Sequence, residues 1–140
     1  MIKASGACII AKDTKRILLQ QRSDAGSYPR NWGFWGGKVE PKENVSQAML
    51  RELSEEVGDI GDHILKVYPL DQYHSRDGEF SYYTFVVVVD IEFIPITNSE
   101  TGGYAWLDRQ YLPKPLHPGA RRTLFKKDKI KIVKNIISKL

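Results

Sequence analysis

A chain of 140 residues, 41% hydrophobic and 27% charged, has the composition of an ordinary globular domain, which excludes disordered and fibrous classes. Its length suffices to bury roughly two thirds of the unfolded surface in one core, and no apolar run approaches the roughly 20 residues of a membrane-spanning helix. The net charge of +4 is uneven: residues 121–140 carry eight Lys or Arg against Asp128, a local +7 that leaves −3 for the rest.

The N-terminal stretch MIKASGACII lacks a charged segment leading into a long apolar one, so the default residence is cytoplasmic. Residues 3–11 and 16–22 look like strands, being among the stretches rich in β-branched, aromatic and alternating apolar residues with turn-formers between them. Cys8, the only cysteine, cannot form an intrachain disulfide, and its apolar neighbours make it a buried thiol. SDAGSYPRNWG is a surface loop by composition. The clearest helix is ENVSQAMLRELSEEVG. Asn44 with Gln47 three residues on forms a capping-box start, and Gly58 supplies the stop. Residues 64–74 and 79–93 read as strands joined through Asp77-Gly78, a hairpin signal. LHPGARRTLF and the basic tail read as shorter helices. In the tail Ile130, Val133, Ile136, Ile137 and Leu140 recur at helical spacing, which favours a docked terminal helix over a free basic arm. With no repeat or linker, the expectation is one mixed α/β domain over residues 1–140.

The central helix poses a chemical problem. Val45, Met49, Leu53 and Val57 form its apolar stripe, while Glu52, Glu55 and Glu56 crowd one neighbouring face, where like charges repel. A solvated acidic face is one explanation. A divalent cation is the other, because hard cations take carboxylate oxygens and Mg²⁺ is commonly held by one or two carboxylates plus substrate phosphates. Gly36 and Gly37, just upstream, let backbone groups approach a metal or phosphate closely.

Gly37, five residues, Glu43, seven residues and then Arg51-Glu52-Leu53-Ser54-Glu55-Glu56-Val57-Gly58 resembles the Nudix (MutT-like) box, G-x5-E-x7-R-E-U-x-E-E-x-G-U with U apolar. Only the last position departs, where Asp59 replaces an apolar residue and Ile60 follows. ILLQQR, WGFWGGKVEP and GYAWLD, the last on a late strand, are also similar to that family, although many members carry Pro where Trp35 stands. The resemblance implies a Nudix fold, a mixed sheet sandwiched between helices. It also implies hydrolysis of a nucleoside diphosphate linked to another moiety: a nucleoside triphosphate, nucleotide sugar, ADP-ribose or dinucleoside polyphosphate. Mg²⁺ or Mn²⁺ would be the cofactor. By position, Glu52 and Glu56 would be the main metal ligands, Glu55 a further one directly or through water, and the Gly37 region would offer a carbonyl. Arg51 and Glu43 would pair to brace the glutamates.

The general base is left between Glu52 or Glu55 and a distal carboxylate, Glu100 before Glu79. Arg22 would meet phosphate. Phe34 and Trp35 would border the substrate, and one or two of Trp32, Phe34, Trp35, Tyr82, Tyr83 and Tyr104 would stack on a base. His74 and His117 have no partner spacing typical of a metal or nucleophile pair and read as loop or surface residues. The partner expected is a small nucleotide substrate rather than a membrane or nucleic acid, and a homodimer is common among members. Two other readings stand beside this one: a non-catalytic nucleotide-sensing Nudix module, disfavoured by the intact carboxylates, and a nucleic-acid-binding protein using the tail.

Overall fold

The computed structural model describes residues 1–140. β1 (Ile2–Ala11) is buried on both faces from Ala4 onward, as a strand covered by helices on both sides must be. It is the central strand. It pairs in parallel with β6 (Phe80–Val89), from Ile2 opposite Phe80 to Ala11 opposite Val89. β5 (Ile64–His74) adds antiparallel to β6 across the expected hairpin at Asp77-Gly78. On the other side β2 (Ile17–Arg22) pairs with β1, and β7 (Thr101–Leu107) closes the outer edge of β2.

The alternation of β1 sorts its side chains into two cores. Cys8 and Ile10 join Ile17, Leu19, Val86 and Val88 beneath two C-terminal helices, α2 (Pro118–Phe125) and α3 (Lys127–Ser138). Ala7, Ile9 and Ala11 face the other way, with Leu18, Val87 and Val89, against Met49, Leu53 and Val57 of α1 (Val45–Val57). The result is helix, sheet, helix in three layers. α1 begins at a complete capping box: Asn44 Oδ1 accepts from the Gln47 amide at 2.8 Å and Gln47 Oε1 from the Asn44 amide at 2.9 Å. Gly58 ends it at φ 94°, a conformation that side chains with a Cβ resist.

The basic tail docks. Val133 and Ile136 of α3 are buried, with Ile130, Ile137 and Leu140 packed against the same core. Its charge is partly answered by Asp71, whose side chain is 2% exposed. Arg122 Nη1 lies 3.0 Å from the Asp71 carboxylate, Thr123 Oγ1 donates to it at 3.1 Å, and the ammonium groups of Lys126 and Lys129 stand at 4.0 and 3.9 Å. No helix is long and apolar enough to cross a membrane.

Two expectations need correction. The strand expected to reach residue 93 ends at Val89, where the Asp90 carboxylate turns back to accept from the Ile91 amide at 2.8 Å. SDAGSYPRNWG, expected to be surface loop throughout, ends in a short strand, β3 (Trp32–Gly33), and the WGGK that follows forms another, β4 (Trp35–Lys38).

Trp35 is also not at the rim of a substrate site. β4 places it opposite Ala7 and inside the core under α1, fully buried, with its indole Nε1 donating to the Leu18 carbonyl at 3.1 Å. Strand alternation decides this, because adjacent residues project to opposite faces and Phe34 takes the other one. Trp35→Ala should therefore cost about 3–5 kcal/mol of stability, measured by urea unfolding. A cost below about 1 kcal/mol would contradict the core assignment.

Candidate active site

The sheet forks, and the fork makes the site. β1 and β2 pair only at Ile9–Leu18 and Ile10–Ile17, and then separate. Residues 32–38 fill the gap, β3 on β2 and β4 on β1. At the crossing Gly36 lies opposite Gly6, and a Cβ on Gly36 would stand 2.6 Å from the Gly6 Cα, so no larger residue fits. The space a Cβ would take at Gly37 is filled by the Glu52 carboxylate.

One turn further along α1, Glu56 is 4% exposed. Its Oε1 accepts from the Gly36 amide at 2.7 Å, and Gln20 Nε2 stands 3.4 Å from its Oε2. Burial, reinforced by the negative charges of Glu52 and Glu100, pushes the Glu56 carboxyl up to about 8. Glu52 is also raised, first by burial and then by Glu55 and Glu100, with the Arg51 hydrogen bond opposing. Glu56 has no positively charged partner, and Glu52 has only Arg51.

Arg51 supplies what local compensation there is. Its Nε and Nη2 grip Glu43 at 2.7 and 3.0 Å, its Nη2 also donates to the Lys38 carbonyl at 2.9 Å, and its Nη1 reaches Glu52 at 3.1 Å and Glu55 at 3.3 Å. This bidentate pair ties the loop before α1 to the helix. Glu55, with a side chain 55% exposed, stays on the solvent side of Arg51. The final position of the motif also resolves: Asp59 Oδ1 accepts from the Gly61 amide at 3.3 Å, and Ile60 carries the apolar role one residue later, buried beneath α1.

A cavity of about 1090 Å³ opens beside Gly36, Gly37 and Glu56. Arg22, Phe34 and Glu100 line it, as do Gln20, His117 and Arg122, which sequence reasoning did not place there. Glu79 instead sits 3.9 Å from the N-terminal amine, outside the cavity wall, and His74 Nδ1 pairs with Ser81 Oγ at 2.9 Å. Arg22 is held by the following loop, donating to the Ser27 carbonyl at 2.9 Å and facing Ser27 Oγ at 3.2 Å.

His117 is not a simple surface histidine. It caps α2, its Nδ1 accepting from the Gly119 amide at 3.1 Å, and its ring meets Tyr28 edge-on at 4.9 Å. Burial and the nearby Arg22 charge hold its pKa below the ordinary value. The His-Pro sequence at a helix start was the available signal. For Gln20 the signal was a polar residue on the inward face of an apolar strand. It is buried, bridging the Phe34 carbonyl at 3.1 Å and Thr101 Oγ1 at 2.9 Å.

The NUDIX domain family model matches residues 2–127. The chain belongs to the Nudix family. It is 52% identical over 52 residues to a CTP pyrophosphohydrolase of Escherichia coli K12, a match spanning 37% of this chain and 38% of that protein. It is 28% identical over 132 residues to the nucleoside triphosphatase NudI of Klebsiella pneumoniae, covering 85% of this chain and 92% of that protein. Among solved structures, the Nudix hydrolase RenU of M. smegmatis superposes with a TM-score of 0.77 at 19% identity, over 96% of this chain and 86% of that one. At that identity the likeness concerns the fold.

The Nudix box residues suit a hard divalent cation in their chemistry. No three acidic or histidine side chains converge into a protein-only cage, but Mg²⁺ needs only one or two carboxylates when substrate phosphates and water complete the shell. Glu52 and Glu56 provide two, both raised chiefly by burial and both seated against glycine backbone. Ser5, in register with Gly37, contributes the one buried side-chain oxygen in the protein without a hydrogen-bond partner.

Proposed function

We propose that this Nudix chain is a pyrophosphohydrolase that acts on a nucleoside triphosphate and uses Mg²⁺ or Mn²⁺. The observation that carries the reading is Glu56: a buried carboxylate facing a large cavity, paired with a backbone amide and an amide side chain but with no cation. Such a group is costly to ionise until positive charge arrives. Glu52 and Glu56, with the Gly37 carbonyl region, would hold the metal, and Glu55 would join directly or through water. A divalent cation held by these residues would supply positive charge for the phosphates and lower the pKa of a water.

Arg51 locks Glu52 by holding Glu43 and Lys38 on its other donors. Arg22, pinned by Ser27, offers positive charge to the phosphates. Phe34 presents an apolar wall to the nucleoside. A carboxylate must take the proton of the attacking water; Glu52, Glu55 and Glu100 are the candidates, Glu100 because it lines the cavity and its charge is felt by both Glu52 and Glu56. The names of the two curated relatives support triphosphates ahead of nucleotide sugars, ADP-ribose or dinucleoside polyphosphates.

The test is a product screen with Mg²⁺ and with Mn²⁺ across standard and oxidised nucleoside triphosphates and those other diphosphate derivatives. Hydrolysis of at least one triphosphate to monophosphate and pyrophosphate, abolished by a chelator, is the expected outcome. Turnover that persists undiminished in chelator would refute the metal dependence.

A further inference from the structure

Gly6 is an anomaly in the central strand. A glycine there packs nothing and weakens the strand, so its presence marks a close approach by another group. That group is Tyr82. A Cβ on Gly6 would overlap the Tyr82 hydroxyl outright and stand 2.9 Å from both Tyr82 Cζ and the Trp35 carbonyl. β6 places Tyr82 opposite Ala4, two residues from Gly6 and so on the same face, and both Ala4 and Tyr82 line the cavity. Gly6 therefore makes room for the phenol to cross the floor of the site toward β4 and its Gly36.

The phenol arrives without a partner. Its hydroxyl makes no side-chain hydrogen bond within the protein, and the ring lines the same cavity as Glu56 and Arg22. A hydroxyl that lines a cavity keeps its O–H free for whatever occupies that cavity. That cavity is also lined by Glu56, the carboxylate read as a metal ligand, and Arg22, the side chain read as a phosphate contact. An anionic phosphate oxygen drawn into the cavity by Arg22 is a group to which a phenol O–H donates a short, charge-assisted hydrogen bond.

We infer that the Tyr82 hydroxyl is a substrate contact, donating to a non-bridging oxygen of the nucleotide's diphosphate; this rests on the hydrolase reading given above. Tyr82→Phe is the clean variant. It deletes the hydroxyl, leaves the ring over Gly6, and breaks no hydrogen bond within the protein.

The measurement is calorimetric binding of non-hydrolysable methylene-bridged nucleoside triphosphates with Mg²⁺, alongside kcat/KM on the triphosphates the wild type hydrolyses. Tyr82→Phe should keep its melting temperature, weaken each analogue about tenfold regardless of base, and lower kcat/KM about 10- to 100-fold. A merely structural tyrosine would lower the melting temperature and leave affinity intact. Equal affinity and equal kcat/KM in the two proteins would overturn the inference alone, as would a loss confined to one base among several that bind. A wild type that neither binds nor hydrolyses any of these nucleotides would overturn the hydrolase reading, and this inference with it.

Discussion

Glu56→Gln should lower Mg²⁺-dependent hydrolysis by about 10³-fold or more while leaving the fold intact. The amide is nearly isosteric, and it can keep a hydrogen bond from the Gly36 amide, which Glu56 accepts at 2.7 Å. What it removes is the charge proposed to bind the metal, and metal stabilisation of a phosphoryl transition state is worth several kcal/mol. The same substitution should raise the stability of the metal-free protein, in a direction fixed by pH. The folded-state pKa of Glu56, about 8, lies above the ordinary carboxyl value of 4.5. Its protonated form therefore favours folding in full below that unfolded value, and the contribution is lost as pH rises through 8. In chelator, Glu56→Gln should melt several degrees higher than wild type at pH 9, by on the order of 2 kcal/mol, with the gap closing toward pH 5. Thermal unfolding across that range and single-turnover kinetics check the two halves. Retained full activity would remove Glu56 from the metal site, and a lower melting temperature at pH 9 would show that its charge is already compensated.

Removing residues 126–140 should be the most damaging change to stability. α3 buries Val133 and Ile136 completely or nearly so and covers the face formed by Cys8, Ile10 and Val86. Two buried aliphatic side chains and several partly buried ones amount to about 4–6 kcal/mol of apolar burial, a large share of a small domain's total. Asp71 would also lose two of the cations around its buried carboxylate. The truncated chain should melt more than about 10 °C lower or fail to fold. Melting unchanged from the full chain would mean that the tail is a free arm after all, and would reopen a role for its charge.

The sequence was legible wherever a local rule decides the outcome. The capping box at Asn44 and Gln47, the stop at Gly58, the hairpin at Asp77-Gly78 and the apolar stripes of α1 and α3 each follow from dihedral preference or periodicity within a few residues. The spacing from Gly37 to Gly58 carried the family, because helical geometry converts that spacing into carboxylates on one face. Trp35 was misplaced for the opposite reason. WGFWGGK has no period of its own, and whether Trp35 or Phe34 faces the cavity depends on which neighbouring strand each half pairs with.

Alone, then, the sequence determined the family, the helix that carries Glu52 and Glu56, the Arg51–Glu43 spacing and a tail with a docking face. Only the tertiary structure decided that β1 and β2 separate, that Glu56 reaches a cavity through the gap, and that Gln20, His117, Arg122 and Tyr82 stand around it. The physical reason is range. Capping, turns and amphipathicity are settled by neighbours along the chain. A forked sheet is settled by pairings between β1, β2 and β4, and the empty place that Gly6 leaves for a phenol 76 residues away is visible only once those strands lie side by side.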